Sequence, residues 1–331
     1  MMLLLAGLAH ALDHHVLQEG ETLADVAEAE GVSVAALRSL NQIEPRQTPA
    51  IGTVLLIPGD DVDTPAAVVL TVSGPATATL PGAAAVRLVQ TRVLPSGTLV
   101  CTEPDGYATL RLATATSSRD HDEVTLLGGT CLTLDASWSH ATDHASVVSV
   151  RRGSVAVRAG AGGKGAVTVR TDAGVTTSDA GGFRVTVEEG AARTEALDGP
   201  VAVLGAGKRV DLATGFGTRV RKGEAPAAAS TLLAPGVPEY PSEKSPMRRP
   251  DFAWSPVDRA LGYRLEIATT ADFSEIVLAE DVGAPPWEPD SLFLPFRGVG
   301  LWWRIASFDR TGFLGPPSSP QRIVLPAGVG L

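Results

Sequence analysis

The sequence predicts a mainly β, multidomain protein in which a small strand–helix–helix–strand module precedes two all-β regions. Three observations lead to this prediction. The chain has 331 residues, which is enough for two or three domains. It contains 35 glycines and 24 prolines, a content typical of short strands joined by many turns. Beyond about residue 66, apolar and polar residues alternate over short runs, which is the pattern of half-buried strands.

Residues 1–11 predict a signal peptide. A short apolar run occupies positions 3–12, and Ala9-His10-Ala11 has the small-x-small form of a cleavage site. No Lys or Arg precedes the apolar run, so a short unstructured lead-in remains the alternative. The signal predicts an exported protein of the periplasm or cell surface.

Residues 14–60 predict the small module. Thr22 stands where a helix N-cap is expected, because its hydroxyl can accept a free backbone N–H, and Ser33 stands at the same place before a second helix. Residues 52–58 then form a strand that proline ends. The apolar faces of the two helices carry Leu23, Val26 and Ala27 in the first and Val34, Leu37 and Leu40 in the second.

This module resembles a LysM domain, a βααβ unit that binds N-acetylglucosamine polymers such as peptidoglycan and chitin. Glu21 stands where the family usually has Asp. The matching positions are Val16, Gly20, Glu21, Thr22, Leu23, Ala27, Gly31, Val32, Ser33, Leu37, Leu40, Asn41, Gly52, Leu55, Ile57 and Pro58.

The resemblance implies a shallow glycan-binding groove between the loop after the first strand and the loop before the second. Backbone groups would hold the acetamido arm of the sugar, and apolar side chains would pack against its methyl group. A purely structural role, as cap or core, is the alternative for each residue. The groove residues in this chain are Gly20, Glu21, Thr22, Leu23, Asn41, Gln42 and Ile43.

Residues 66–222 predict an all-β domain of stacked short strands. Their order of turn glycines and strands resembles a FecR-type domain, although the Gly-Thr that usually precedes the phenylalanine of that family is Gly-Gly before Phe183. The matching segments are 97–102, 106–110, 128–132, 153–155, 171–174, 183–187 and 199–203. The resemblance implies protein contacts in envelope signalling or scaffolding.

A Pro- and Ala-rich segment, 223–249, predicts an extended linker, and residues 250–326 predict a second all-β domain. The aromatic pattern of residues 250–326 resembles a fibronectin type III-like β-sandwich. In that fold Trp254, Tyr263 and one residue of the pair Trp302-Trp303 belong to the core. Trp287 lies in a proline-rich loop and is the aromatic residue to inspect as a contact.

Two cysteines, Cys101 and Cys131, predict one disulfide in an exported protein. Two separate buried thiols are the alternative. Neither cysteine belongs to a C-x-x-C pair, so they do not indicate a metal site.

The sequence contains no pattern that indicates catalysis, and we expect a protein that is not an enzyme and needs no cofactor. There is no G-x-S-x-G, P-loop or H-E-x-x-H motif. Segment 120–123 predicts a solvated turn tip, and His140 with His144 lies in a context that favours a loop or strand, so we expect no metal site at either place.

Charge and hydropathy restrict the partners. The net charge of −10 argues against nucleic acid, and no internal stretch reaches the roughly 18 apolar residues of a membrane helix. Residues 13–60 carry eight acidic residues against two arginines, a balance that suits a largely uncharged glycan. The expected partners are peptidoglycan or a related N-acetylglucosamine glycan and an unknown envelope protein. An accessory targeting subunit of a wall-active hydrolase and a surface adhesin are the alternatives.

Overall fold

The computed structural model describes residues 14–30, 34, 37–38, 41, 43, 47–57, 65–112, 122–140, 143–160, 164–247, 251–288 and 300–324. These residues are mostly strand, which confirms the predicted mainly β class. The predicted signal peptide, residues 1–11, lies outside the described residues.

The N-terminal module consists of β1 (His14–Val16), α1 (Leu23–Ala29) and β2 (Val54–Leu56), with β1 and β2 paired antiparallel. The predicted first helix and its cap are confirmed. Thr22 is the N-cap: its hydroxyl accepts the Asp25 N–H at 3.3 Å, while the Asp25 carboxylate accepts the Thr22 N–H at 2.8 Å. Of the predicted second helix, the described residues Val34, Leu37 and Arg38 are helical. The core of the module consists of Leu17, Leu23, Val26, Ala27, Leu37, Ile43, Leu55 and Ile57.

Seventeen strands between residues 65 and 231 join into one sheet network. They are β3 (Pro65–Ser73), β4 (Ala76–Thr79), β5 (Ala85–Arg87), β6 (Val93–Pro95), β7 (Leu99–Thr102), β8 (Tyr107–Leu112), β9 (Glu123–Leu126), β10 (Cys131–His140), β11 (Asp143–Ala159), β12 (Lys164–Arg170), β13 (Val175–Ser178), β14 (Gly181–Glu188), β15 (Ala191–Asp198), β16 (Val201–Gly205), β17 (Lys208–Leu212), β18 (Phe216–Arg221) and β19 (Ser230–Thr231).

The 17-residue strand β11 belongs to two layers of this network. Its first half, residues 143–152, pairs with β10 and, in parallel, with β12. Its second half, residues 153–159, pairs with β9 and β14. The change occurs at Gly153, whose φ is +85° and where an added Cβ would lie 2.5 Å from the Thr130 Cα. One apolar core that includes Leu110, Val155 and Phe183 fills the space between the layers.

Cys101 of β7 and Cys131 of β10 form a disulfide. The two residues are directly opposite each other on neighbouring strands, with their Cα atoms 4.2 Å apart and their sulfurs 2.09 Å apart. The bond therefore joins two strands that are already paired and closes the chain between them.

The C-terminal region has two small sheets around one core. The strands are β20 (Pro238–Tyr240), β21 (Ala253–Trp254), β22 (Gly262–Ala268), β23 (Ile276–Val282), β24 (Leu301–Phe308) and β25 (Gln321–Ile323). β20 pairs with β21, and the larger sheet has the order β23-β22-β24-β25. Trp254 and Tyr263 are buried, as predicted, and Trp303 is the buried residue of the pair Trp302-Trp303. Trp287 is half-buried against Phe252, with ring centroids 6.1 Å apart and backbone hydrogen bonds in both directions.

The segment predicted as a linker contributes strands at both of its ends. β19 pairs with β18 of the large network, while β20 pairs with β21 of the C-terminal region. Leu232 and Met247 are buried. Segment 223–249 is thus anchored to both β regions by backbone pairing and apolar contacts.

The two β regions also contact each other directly. The Tyr107 hydroxyl accepts the Ala279 N–H at 3.0 Å, and the hydroxyls of Thr71 and Thr109 both donate to the Ser274 carbonyl at 2.8 Å. Tyr107 and Leu127 share an apolar cluster with three residues of the C-terminal region. These contacts place β8 of the large network against β23.

The prediction of a solvated turn tip at 120–123 is wrong for its two described residues. Asp122 is fully buried, and its carboxylate accepts the Gly160 N–H at 2.9 Å. Glu123 is also buried and pairs with Arg158. Both carboxylates bind groups at the end of β11. Their side chains therefore point into the protein rather than into solvent.

Replacing both cysteines (Cys101→Ala with Cys131→Ala) is expected to lower the free energy of unfolding of the large β region by about 3 to 4 kcal/mol. Without the bond the unfolded chain is no longer closed into a loop, so its conformational entropy rises and unfolding becomes more favourable. Urea unfolding read out by amide exchange in β7 and β10 measures this change. Reduced wild-type protein is the control and should match the double variant. A loss below about 1 kcal/mol would contradict the expected role of the bond.

Candidate glycan-binding site

The loop that follows β1 is held in place by one carboxylate. The Glu21 carboxylate accepts the Gln18 backbone N–H at 2.9 Å and contacts the His15 imidazole Nε2 at 2.6 Å. The Glu21 N–H in turn donates to the Gln18 carbonyl at 3.2 Å, which closes a turn. Gly20, inside that turn, has a φ of +83°, a conformation that favours glycine. The predicted groove residues Gly20 and Glu21 therefore lie together at an ordered turn.

Three other predicted groove residues are buried. Leu23 and Ile43 belong to the core of the module, and Asn41 is 6% exposed. The Asn41 amide donates to the Leu37 carbonyl at 2.8 Å, and the Ile43 N–H donates to the Arg38 carbonyl at 2.9 Å. Asn41 and Ile43 support the second loop from inside, and Leu23 supports the first, so any contact they make with a glycan would use the backbone. Gln42 lies outside the described residues.

Gly20 and Thr22 are exposed and Glu21 is half-buried, so these residues supply the accessible part of the predicted groove. Thr22 also caps α1 through its hydroxyl. Its methyl group and the backbone of the turn remain available for contact. Thr22 therefore has the capping role expected from the sequence, and the residue is still exposed to solvent.

Sequence reasoning missed Ile51, which is 60% exposed at the turn before β2. This turn lies beside the start of the first loop, because the Gly52 N–H donates to the Leu17 carbonyl at 2.7 Å and the Leu17 N–H donates to the Thr53 carbonyl at 3.0 Å. An exposed aliphatic side chain at this turn can pack against a sugar ring or an acetamido methyl. The signal available in the sequence was a large apolar residue directly before a turn glycine.

The second loop also contacts the large β region. An Arg170 guanidinium nitrogen donates to the Asn41 side-chain oxygen at 3.3 Å. Arg170 is the last residue of β12. The Asn41 side chain therefore joins the N-terminal module to the large sheet network.

Residues 15–58 match the LysM domain. LysM domains are binding modules rather than catalytic ones, and the match indicates binding of peptidoglycan or another N-acetylglucosamine glycan. The matched range includes α1, β2, residues 15–16 of β1 and every predicted groove residue.

Curated proteins include none that matches the chain. Among solved structures, two crystal structures of a candidate anti-sigma factor from Parabacteroides distasonis, at 2.50 and 1.65 Å, are similar to 40% of this chain. Their sequence identities are 15% and 12%, and the TM-score is 0.32 for both. The chain spans 59% of the length of that protein.

Two further features of the described residues bear on the chain as a whole. Within the ranges that the structure describes, no helix has the length and apolarity needed to cross a membrane. The same ranges contain no group of three or more His, Cys, Asp or Glu side chains placed to hold a metal ion.

The Gln18 amide is expected to report the ionisation of Glu21. The Gln18 backbone N–H and then His15 stabilise the carboxylate and lower the pKa of Glu21 below its usual 4.5. The contact that orders the loop is therefore present at neutral pH and is lost as the pH falls through this lowered pKa. In an NMR titration of the full chain, the Gln18 amide should shift with a midpoint below 4.5, and the transition should vanish in Glu21→Gln. A midpoint of 4.5 or higher, or a transition that persists in the variant, would contradict this geometry.

Proposed function

We propose that this chain is a non-catalytic, exported cell-envelope protein that binds peptidoglycan through its LysM module and uses its β regions for protein contacts. The observation that carries the proposal is the LysM match over residues 15–58, together with the ordered turn that this module presents at Gly20 and Glu21.

In the proposed complex the glycan lies across the first loop and the turn before β2. Exposed backbone groups at residues 20–22 hydrogen-bond the acetamido arm, and Ile51 packs against its methyl group or the adjacent sugar face. The acidic balance of residues 13–60 suits a glycan that carries little charge. Asn41 and Ile43 shape the second edge of the groove through their backbone, and Gln42 is the third proposed contact residue of that edge.

The rest of the chain would act as a scaffold behind this module. In the proposed organisation, a LysM module (14–60) is followed by a FecR-type β domain (66–222), a Pro/Ala-rich segment (223–249) and a fibronectin type III-like domain (250–326). These two β domains would bind an envelope protein in scaffolding or signalling. The periplasm or the cell surface is the compartment in which a disulfide and a wall-binding module both operate.

Sedimentation with purified peptidoglycan tests the proposal, using the full chain and a matched pair of exposed aliphatic residues. Ile51 is 60% exposed beside the proposed groove, and Leu261 is 64% exposed in the C-terminal region. Ile51→Ser is expected to weaken binding about tenfold, because partial burial of an isoleucine contributes on the order of 1.5 kcal/mol. Leu261→Ser should bind like the wild type.

The two variants should have equal thermal stability, since substitutions of exposed side chains change stability little. Failure of the wild type to sediment would overturn the proposed function. Equal sedimentation of Ile51→Ser and Leu261→Ser would retain glycan binding but remove Ile51 from the groove. Chitin is a second matrix that distinguishes general N-acetylglucosamine binding from binding to peptidoglycan alone.

A further inference from the structure

A cavity of about 390 Å³ lies between the large β region and the C-terminal region. Its walls come from β8, β14 and β15 on one side and from β22, β23 and β24 on the other. This volume falls within the roughly 300 to 1,000 Å³ typical of small-molecule sites. The cavity is remote in sequence from the LysM module and plays no part in the proposed glycan site.

Arg184, on β14, brings a buried positive charge to this cavity. Its side chain lines the cavity and the residue is only 3% exposed. One guanidinium nitrogen donates to the Leu314 carbonyl at 3.2 Å, whereas Nε has no hydrogen-bond partner. Among the described residues, no carboxylate lies within 4 Å of this guanidinium. A buried guanidinium with an unfilled donor and no carboxylate in contact is costly, so this arrangement favours an anionic ligand that accepts from Nε.

The carboxylates around the cavity are already engaged by other arginines. Asp281 accepts two hydrogen bonds from Arg264, at 2.7 and 2.9 Å. Glu266 accepts one from Arg304 at 2.6 Å. Glu188 lies 3.0 Å from Arg193 and 3.1 Å from Arg219. None of these three carboxylates therefore forms a hydrogen bond or a close ion pair with Arg184.

Glu195 faces Arg184 across the β14–β15 pair, yet it does not form an ion pair with it. Its Oε1 accepts the Leu314 N–H at 3.4 Å, and its Oε2 has no partner. Burial raises the pKa of the Glu195 carboxyl above its usual value, while the charges of Arg184 and Arg193 act to lower it. Glu195 therefore acts on Arg184 only through its charge, and the Arg184 Nε is left without an acceptor.

The remaining walls are partly apolar. Tyr107, Leu127, Phe308 and Leu314 line the cavity together with Ala279. A bare inorganic anion would leave these surfaces without a partner. A ligand with a carboxylate at one end and an apolar body would satisfy both Arg184 and the apolar wall.

We propose that this cavity binds a small organic carboxylate, whose anionic group pairs with Arg184 and whose apolar body packs against Tyr107 and Leu127. Because the cavity is built from both β regions, the ligand would also strengthen the contact between them. The site gives the chain a second ligand, of a different chemical class from the glycan.

Titration of the full chain with benzoate, benzamide and inorganic phosphate, followed by calorimetry and saturation-transfer NMR, tests this proposal. Benzoate carries the anionic group and the apolar body, benzamide lacks the charge, and phosphate lacks the apolar body. Arg184→Gln removes the proposed counter-charge. Ala279→Leu fills the cavity without changing any charged group. Arg158→Gln is the control, since it removes an arginine charge from the same β region at a position that does not line the cavity.

Benzoate should bind the wild type and Arg158→Gln equally, and at least tenfold more weakly to Arg184→Gln and Ala279→Leu. Benzamide should bind at least tenfold more weakly than benzoate to the wild type. If Arg184→Gln does not fold, Ala279→Leu decides the result. No benzoate binding, equal binding of benzamide, or benzoate binding unchanged by Ala279→Leu would overturn the proposal. Binding of phosphate that benzoate does not displace would show an adventitious ion only and would overturn it as well.

Discussion

Backbone pairing along β11 is the interaction on which the large β region depends. One strand of 17 residues forms ladders with β10 and β12 in one layer and with β9 and β14 in the other. The layers therefore share a strand as well as an apolar core. Gly153 permits the change of layer because its positive φ and its close approach to Thr130 exclude a side chain. Gly153 and Ser154 also line the cavity beside Arg184, so the same change of layer shapes the proposed carboxylate site.

Local patterns in the sequence predicted local structure well. Thr22 and the apolar spacing that follows it predicted the cap and the buried face of α1, because both are determined within one helical turn. The alternating runs in the middle of the chain, such as 183–187, lie within strands for the same reason. The family resemblance predicted that Trp254 and one residue of the pair Trp302-Trp303 are core residues, and the structure buries Trp254 and Trp303 fully.

Features that depend on distant contacts were not predictable in this way. The polar run Arg151-Arg152-Gly153 is typical of a turn, yet β11 continues through it because partners on both sides supply its hydrogen bonds. Asp122 is buried because the Gly160 N–H, 38 residues away, binds its carboxylate. In the candidate glycan site, the residues of the first loop followed from the family resemblance, whereas Ile51 did not. A single apolar residue in a turn has no periodicity, and its importance depends on which loop lies beside it.

The two proposed sites differ in chemistry, since the small module would hold a neutral glycan and the cavity between the β regions an anion. Glycan binding by the small module requires that the first loop and the turn before β2 contact N-acetylglucosamine. Hydrogen–deuterium exchange of the full chain with chitotetraose tests this contact, with cellotetraose as the control that lacks acetamido groups. We expect slower exchange at residues 18–23 and 50–53 with chitotetraose alone, and no change in β22 to β24. Protection confined to the β regions, or equal protection by both sugars, would rule out the proposed glycan contact.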